Sequence, residues 1–425
     1  GADAPENLLA FADFDGDFKA DGFGDQFVKT WEPHLKDWRE GDPTWGDDKG
    51  KALIGAVNYL ADQGLNAMSF LTFNVMGDDK NVFPYTSYNE FERFDVSKLA
   101  QWERVFDHAQ RNGIFLHFKT QEHENQGLLD GGGLGLQRKM YYRELIARFG
   151  HHLALNWNLG EESGEWGKQV TPTQTTPNRR AMTEFFHDHD PYRHLVVIHN
   201  GNQFWDLLGD KSKLTGVSVQ TNQEDFSNVH GAIARWRRES AKTGKKWVVC
   251  CDEPGDAQFS LVPDSVNSEH DNSRINALYG TLFAGGAGVE WYFGYKHPNS
   301  DLTCQDWRSR EKMWVQCRHA LNFFAGNLEN SVGPIELDEL SPNDKLISGK
   351  NYCMTKPGKM WLVLLKTGGA AELNVEGAGV PFSIQWFNPR TGELTTKSDL
   401  GTSPRAGKLK LKAPDQKDWI AIIRK

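Results

Sequence analysis

The chain has 425 residues, of which 38% are hydrophobic and 25% are charged, with a net charge of −9 and a pI near 5.9. This length allows a large core and more than one domain, and no apolar run approaches the roughly 18 residues that a membrane span needs. Because phosphate binding depends on concentrated Lys and Arg, the acidic balance argues against nucleic acid as a partner. The odd count of 5 cysteines does not indicate a disulfide framework.

From residue 8 to about residue 295, short apolar runs alternate with amphipathic segments whose apolar residues recur every three or four positions. The amphipathic segments predict helices, and Gly64 and Gly113 follow the first two as candidate helix ends. The apolar runs predict eight strands, at residues 8–14, 67–73, 114–119, 153–159, 195–199, 216–220, 247–251 and 288–293. Strands that alternate with helices in this number are typical of an α/β protein with a (β/α)₈ TIM barrel.

The pattern changes past residue 330, where the helical periodicity stops. Short alternating or β-branched runs follow, separated by turns rich in Gly, Pro and Asn. These features predict a small all-β sandwich. We therefore predict a barrel domain over residues 1–330 and a C-terminal β-sandwich domain over residues 331–425.

Acidic residues follow two of the predicted strands at the end where a TIM barrel builds its active site. Glu161 and Glu162 follow the fourth strand, and Asp252 and Glu253 follow the seventh. Two facing carboxylates are the groups that hydrolyse glycosidic bonds, since one protonates the leaving oxygen while the other attacks the anomeric carbon or activates water. Glu165, further along the first loop, is predicted to have no part in the chemistry.

Other polar and aromatic side chains follow the remaining strands and are predicted to bind sugar hydroxyls or to form the cleft wall. Candidates for these roles are Gln121, His123, His199, Asn200, Asn222 and Tyr292. A loop with Asp13, Asp15, Asp17 and Asp21 lacks the Gly and Glu spacing of an EF-hand, so we predict no metal site there. No motif indicates a cofactor.

Two resemblances extend this interpretation. The segment WNLGEE, residues 157–162, resembles the strand end that carries the acid/base of clan A retaining glycoside hydrolases. The resemblance implies that Glu162 is the acid/base, that Glu253 is the nucleophile, and that Trp291 is a platform beneath the sugar. It also implies that Glu161 stands where the clan has an Asn that binds the sugar 2-hydroxyl. No obvious aromatic follows strand six at the place where the clan often has one.

The second resemblance covers nearly the whole chain. Residues 5–10, 41–45, 119–125, 141–150 and 386–392 are similar to a bacterial family of clan A hydrolases. Its members carry an N-terminal domain of unknown function, which would precede Gly1, and a C-terminal "putative collagen-binding" β domain. The resemblance implies a secreted or periplasmic enzyme that degrades polysaccharides.

The resulting hypothesis is a retaining glycoside hydrolase that cleaves a poly- or oligosaccharide by double displacement, with its two carboxyl groups roughly 5–5.5 Å apart. Two alternatives stay open. One is a transglycosylase that uses the same site, and the other is a non-catalytic module that binds carbohydrate or protein. The sugar, the linkage and the oligomeric state cannot be read from the sequence.

Overall fold

The computed structural model describes residues 1–14, 28–77, 80–164, 172–200, 204–331, 333–375, 382–400 and 407–425. Seven parallel strands belong to the barrel: β1 Ala67–Leu71, β2 Phe115–Lys119, β3 Leu155–Asn158, β4 Leu195–Val197, β5 His199–Asn200, β6 Gly216–Gln220 and β7 Val248–Glu253. They form two sheets, ordered β1-β2-β3-β4 and β5-β6-β7. The predicted fifth strand is divided between the two sheets, because Val197 pairs with Asn158 of β3 whereas His199 pairs with Ser218 of β6.

The chain closes the barrel where β1 and β7 end the two sheets. Ala2 forms parallel bridges to both Met68 and Trp291, and Cys251 bridges in parallel to Val289. The segment around Ala2 thus occupies the first strand position and the segment around Val289 and Trp291 the eighth. This closure gives the TIM barrel predicted from the alternating pattern.

The prediction of a first strand at residues 8–14 is wrong. This segment turns back on itself, since the Leu8 amide donates to the Pro5 carbonyl, and Leu8 and Leu9 are buried in the core. The positions beside β1 and Trp291 are already taken by the segment around Ala2, so the later residues have no free sheet edge there. Continuous apolar runs show burial, but they do not distinguish a strand from a buried turn.

Helices surround the barrel: α1 Lys51–Asp62, α2 Val96–Arg111, α3 Leu136–Phe149, α4 Thr176–His189, α5 Val229–Lys242, α6 Tyr279–Phe283 and α7 Glu311–Ala325. A π-helical segment, Ser273–Leu278, leads into α6. Short 3₁₀ helices lie at Glu32–Asp37, His123–Asn125, Asp130–Gly132, Trp205–Leu207, Gly209–Lys211, Trp307–Arg310, Leu337–Glu339 and Asp344–Leu346. Gly64 and Gly113 follow α1 and α2 with φ of +79° and +75°, which confirms both predicted helix ends.

The C-terminal segment is the predicted all-β unit. Its strands are β8 Ser341–Pro342, β9 Tyr352–Lys356, β10 Met360–Leu365, β11 Ala370–Asn374, β12 Phe382–Asn388, β13 Glu393–Leu394, β14 Ser398–Leu400, β15 Lys408–Lys412 and β16 Trp419–Arg424. The larger sheet is antiparallel, in the order β13-β12-β16-β10-β9-β8, with β14 beside β12, and β11 pairs with β15 in a second sheet.

The larger sheet is buried on both faces, which explains why β10 reads as the continuous apolar run MWLVLL. Trp361 and Val363 pack in the core that includes β11 and β15, whereas Leu362 and Leu364 belong to the core of the barrel and its helices. Alternate residues of a strand point to opposite faces, so both faces require apolar side chains. The boundary at residues 330 and 331 stays a prediction.

Polar contacts also join the barrel helices to the β unit. The Arg274 guanidinium donates from Nε and Nη2 to the two oxygens of Asp418, both at 2.8 Å, and all four atoms are buried. His230 of α5 stacks on Tyr352 with centroids 3.9 Å apart and contacts Asp344 at 2.7 Å. Such paired, buried contacts hold the two units in one orientation.

Candidate active site

The carboxylates predicted to carry the chemistry meet at the carboxyl ends of the barrel strands. Glu253 is the last residue of β7, and Glu162 lies four residues beyond the end of β3. The turn between β3 and Glu162 is tight. Gly160 in this turn has φ of +149°, and a Cβ there would lie 2.8 Å from Gln121 Cγ. Glu162 itself has φ of +44°, a left-handed conformation that costs a non-glycine residue energy and is typical of functional sites.

Gln220, the last residue of β6, joins the two glutamates. Its Nε2 donates to Glu162 Oε1 at 2.5 Å and to Glu253 Oε1 at 2.8 Å. The two acceptor oxygens can therefore be no farther apart than these two distances together. Carboxyl groups lie roughly 5–5.5 Å apart in retaining glycosidases and roughly 6.5–9.5 Å apart in inverting ones, so one amide that contacts both glutamates fits the shorter spacing better.

The electrostatics separate the two glutamates into different roles. Burial, as the largest cause, and the charge of Glu253 raise the pKa of Glu162, and the hydrogen bond from Gln220 lowers it; the net result is a pKa of about 7. A carboxyl group with a pKa near 7 holds a proton that it can donate at neutral pH. Glu162 is thus equipped to act as a general acid.

The second glutamate is held by a buried histidine. His199 Nε2 lies 3.3 Å from Glu253 Oε2, and its Nδ1 lies 3.0 Å from Asp252 Oδ2. Burial by itself lowers the pKa of His199, but the charge of Asp252, the hydrogen bond to Asp252 and the contact with Glu253 raise it well above the ordinary value. The ring lies between the two carboxylates, and the pKa of Asp252 is depressed by His199 and Lys119 despite its burial.

Beneath the two glutamates lies a buried acidic cluster around Lys119, at the end of β2. The Lys119 ammonium donates to Asp3 and Glu6 at 2.8 Å and to Glu161 at 2.9 Å, and it lies 3.6 Å from Asp252. Burial and the neighbouring charge of Glu6 raise the pKa of Glu161 well above its usual range. Burial likewise raises the pKa of Asp3. The raised pKa values of Glu161 and Asp3 therefore favour protonated carboxyl groups within the cluster, beside the charged Lys119.

Replacing Lys119 by methionine is expected to lower the free energy of unfolding by about 3–5 kcal/mol, because carboxylates would stay buried without their cation. The remaining acids would bind protons in the folded state at a higher pH than in the unfolded state. The variant should therefore lose stability as pH rises, more steeply than the wild type.

Urea denaturation at pH 5 and pH 8 measures this effect. Lys242→Met is the control, since this exposed lysine pairs with Glu239 at the surface and its loss should leave stability nearly unchanged at both pH values. Equal losses in the two variants would contradict the stabilising role of Lys119.

Besides His199, which is fully buried against Asp252 and Glu253, four predicted substrate-binding residues are placed away from the cleft by the structure. Trp291 is fully buried and its Nε1 donates to Cys317 Sγ of α7 at 3.2 Å, so its ring faces the helix layer and cannot lie beneath a sugar. Gln121 is also fully buried, and its Oε1 accepts from Arg138. Glu161 points into the barrel towards Lys119 instead of into the cleft.

His123 is the fourth. It is buried, and its Nδ1 donates to the Glu162 carbonyl at 3.0 Å, so it supports the loop that carries Glu162. The sequence correctly placed these residues at strand ends. It could not show which way each side chain turns, because that depends on neighbours from distant parts of the chain.

A cleft of about 780 Å³ opens beside the two glutamates and Gln220. Asn222 and Tyr292 line it, as predicted, together with Tyr295, whereas Asp256 and Arg235 are lining residues that the sequence did not single out. Tyr292 and Tyr295 meet edge to face with centroids 6.0 Å apart, which gives the cleft an aromatic wall. Asn200 lies in β5, but its side chain is outside the described part of the chain.

Gln220 and Lys119 are the functional side chains that sequence reasoning missed. Gln220 was within a predicted strand, and nothing in the sequence indicated that its side chain contacts both glutamates. Among the described residues, Glu161, His199 and Glu253 place ligand atoms within 4.8 Å of one another. Lys119 and His199 already supply positive charge there. Asp15, Asp17, Asp21 and Glu165 lie outside the described residues.

The comparisons with known proteins agree with this architecture. Residues 342–424 match the family described as "Putative collagen-binding domain of a collagenase", which covers the β unit. No curated protein matches the sequence. None of the described helices combines the length and apolar character that a bilayer span requires.

Solved structures resemble nearly the whole chain. A protein titled "Glycoside hydrolase" aligns with a TM-score of 0.64 at 14% identity, over 87% of this chain and 89% of its own. A glycoside hydrolase family 5 protein from Bacteroides vulgatus aligns with a TM-score of 0.61 at 14% identity, over 88% and 85%. An Anoxybacillus alpha-amylase aligns with 0.52 at 10% identity, over 98% of both chains. At these identities the likeness shows the shared fold of a TIM barrel with a C-terminal β unit.

Proposed function

We propose that this chain is a retaining glycoside hydrolase that cleaves a poly- or oligosaccharide by double displacement. The single observation that carries the proposal is the contact of one amide, that of Gln220, with both Glu162 and Glu253. A shared donor that holds one oxygen of each carboxyl group close to the other supports the short spacing of retaining enzymes, where one carboxylate attacks the sugar directly. The position of the pair at the carboxyl ends of the barrel strands and the nearby cleft support the same chemistry.

In the first step, Glu253 attacks the anomeric carbon while Glu162 protonates the departing glycosidic oxygen. A covalent glycosyl-enzyme forms, and the sugar's anomeric configuration is inverted once. In the second step, Glu162, now a carboxylate, takes a proton from water, which attacks the anomeric carbon and releases Glu253. The second inversion restores the original configuration. The pKa of about 7 suits Glu162 to both tasks at neutral pH.

A glycan-panel digestion tests the proposal. Plant, marine and bacterial polysaccharides would be incubated with the protein, and the anomeric configuration of the first products would be followed by NMR. We expect at least one glycan to be cleaved with retention. Because the clan resemblance favours β-type linkages while one similar structure is an alpha-amylase, the panel includes both anomers. Cleavage with inversion would contradict the nucleophile assignment.

The same digestion distinguishes the alternatives. A transglycosylase would transfer the glycosyl group to an added sugar acceptor in preference to water, and longer products would accumulate. A non-catalytic module would bind a glycan without releasing a product. The strained conformation of Glu162 and its raised pKa favour catalysis, since a binding surface has no use for either.

Gln220→Ala is expected to lower kcat about 10- to 100-fold, because the two glutamates lose the donor that aligns them. Since the Gln220 hydrogen bond lowers the pKa of Glu162, its removal should raise that pKa. The alkaline limb of the pH–rate profile should accordingly move to higher pH. A profile for Gln220→Ala that coincides with the wild-type profile would show that the amide plays no part in alignment.

Asn228→Ala provides the matched control. Asn228 is another amide at the cleft, but its Nδ2 donates to Asn222 instead of to either glutamate. We expect this variant to change KM more than kcat and to leave the alkaline limb where it is in the wild type.

A further inference from the structure

A second cluster of potential ligands lies at the opposite end of the barrel from the cleft. Glu103 belongs to α2, whereas His151 and His152 form the turn between α3 and β3. The turn enters β3 at its amino end, and Glu162 follows the carboxyl end of the same strand. The cluster is therefore separate from the proposed active site by the length of a barrel strand.

The two histidines meet at one carboxylate, each beside a different oxygen of Glu103. His151 Nε2 lies 3.0 Å from Glu103 Oε1, and His152 Nε2 lies 3.3 Å from Glu103 Oε2. The two rings face each other with centroids 4.2 Å apart, and ligand atoms of all three residues lie within 4.8 Å of one another. Adjacent residues of an extended chain would point in opposite directions, so the turn is what brings both rings to the same carboxylate.

These distances match those between neighbouring ligands of a tetrahedral metal ion. With zinc–nitrogen and zinc–oxygen bonds of about 2.0–2.1 Å, tetrahedral geometry places adjacent ligand atoms about 3.3 Å apart. Two imidazoles and one carboxylate are the ligand types that zinc prefers, whereas magnesium and calcium prefer oxygen alone. The side chain of His151 is half exposed, so a water molecule can reach a fourth position.

The backbone around the cluster is held in place from both sides. The His152 amide donates to the Phe149 carbonyl at 3.1 Å, and the Leu153 amide donates to Gln110 Oε1 of α2 at 2.8 Å. Glu103 lies on the same helix as Gln110, so this hydrogen bond fixes the position of the turn relative to the Glu103 carboxylate. Because the side chains are already arranged, less conformational entropy is lost when an ion binds.

We propose that Glu103, His151 and His152 bind a zinc ion that joins α2 to the α3–β3 turn. Zinc replaces the protons that the two Nε2 atoms share with Glu103, and each imidazole then carries its proton on Nδ1. His152 Nδ1 is buried and has no hydrogen-bond partner among the described residues. Because an orienting partner for the second ring nitrogen strengthens metal binding 10- to 100-fold, we expect micromolar affinity instead of the tighter binding of structural zinc sites.

Calorimetric titration of the whole protein with ZnCl₂ tests the proposal, and MgCl₂ serves as the non-binding ion. We expect wild type to bind zinc and its melting temperature to rise with zinc concentration. His151→Ala and Glu103→Gln should each weaken this binding at least about tenfold. His151 is exposed, so its replacement leaves the core intact. If zinc also binds at Glu161, His199 and Glu253, that binding would remain in both variants and would appear in the titration as a second site.

His187→Ala is the matched control. His187 is a half-exposed histidine 2.8 Å from Asp188, but it belongs to none of the three-residue ligand groups among the described residues. Its replacement should leave zinc affinity and the thermal shift unchanged. The proposal is overturned if wild type binds no zinc, or if zinc affinity is the same in wild type, His151→Ala and Glu103→Gln.

Discussion

Glu253→Ala is expected to lower kcat on the responsive glycan by a factor on the order of 10⁴ or more, because the covalent route loses its nucleophile. Gln220 and His199 would stay in place, so the Gln220 amide and the His199 ring would still line the space that the carboxylate leaves. Added azide can enter that space and attack the anomeric carbon. We therefore expect azide to restore turnover and to give a glycosyl azide of inverted configuration.

Steady-state rates with and without azide, together with NMR of the product, check this result. Glu224→Ala is the control, because Glu224 is an exposed carboxylate shortly after β6, at the same end of the barrel. Its activity should match that of the wild type. If Glu253→Ala keeps wild-type activity, or if azide gives a product of retained configuration, another residue is the nucleophile.

Glu162→Gln is expected to lower kcat about 10²- to 10⁴-fold on natural glycans. The loss should be much smaller for aryl glycosides with good leaving groups, since their departure needs no proton. In the wild type, activity should fall as pH rises through about 7, because Glu162 loses the proton that it donates. The variant has no ionising group at this position, so that alkaline limb should disappear.

Rates across pH 4–9 on a natural and an activated substrate measure both effects. Asp256→Asn serves for comparison, since Asp256 lines the same cleft but caps the Gln258 amide at 2.8 Å and contacts neither glutamate in the described structure. It should leave the alkaline limb unchanged. An unaltered limb in Glu162→Gln would mean that a different group donates the proton.

The raised pKa of Glu162 also has a consequence for stability. The folded protein keeps this proton up to about pH 7, whereas the unfolded chain releases it near the ordinary pKa of 4.5. Between these values the folded state binds more protons, so this residue lowers stability as pH rises. Stability given up at an active site in this way is typical of catalytic groups whose pKa is tuned by burial.

The paired glutamates show how far the sequence alone can predict this site. Both acids could be predicted because each follows a strand of a repeating β–α pattern, and the carboxyl ends of barrel strands share one face. That argument gives the end of the barrel at which a residue lies. It does not give the direction of its side chain, which is why Trp291 was predicted to face the cleft although it packs against α7.

Glu161 and Glu162 are adjacent, yet their side chains point in different directions. They are chemically identical and adjacent, and in the sequence only the resemblance to the clan motif distinguishes them. The left-handed turn at Glu162 directs it towards Gln220, whereas Glu161 points down to Lys119. Their surroundings come from β2, β6 and the amino-terminal segment, which are distant in the sequence.

By itself, the sequence determined the barrel, the C-terminal β unit and the end of the barrel where the acids gather. These features follow from local patterns of apolar residues and turns, which act over a few positions. The tertiary structure decided that residues near Ala2 close the barrel, that Gln220 joins the glutamates, and that Lys119 gathers four acids. Each of these depends on groups far apart in the chain meeting in a buried space, where charge and hydrogen bonding are strongest.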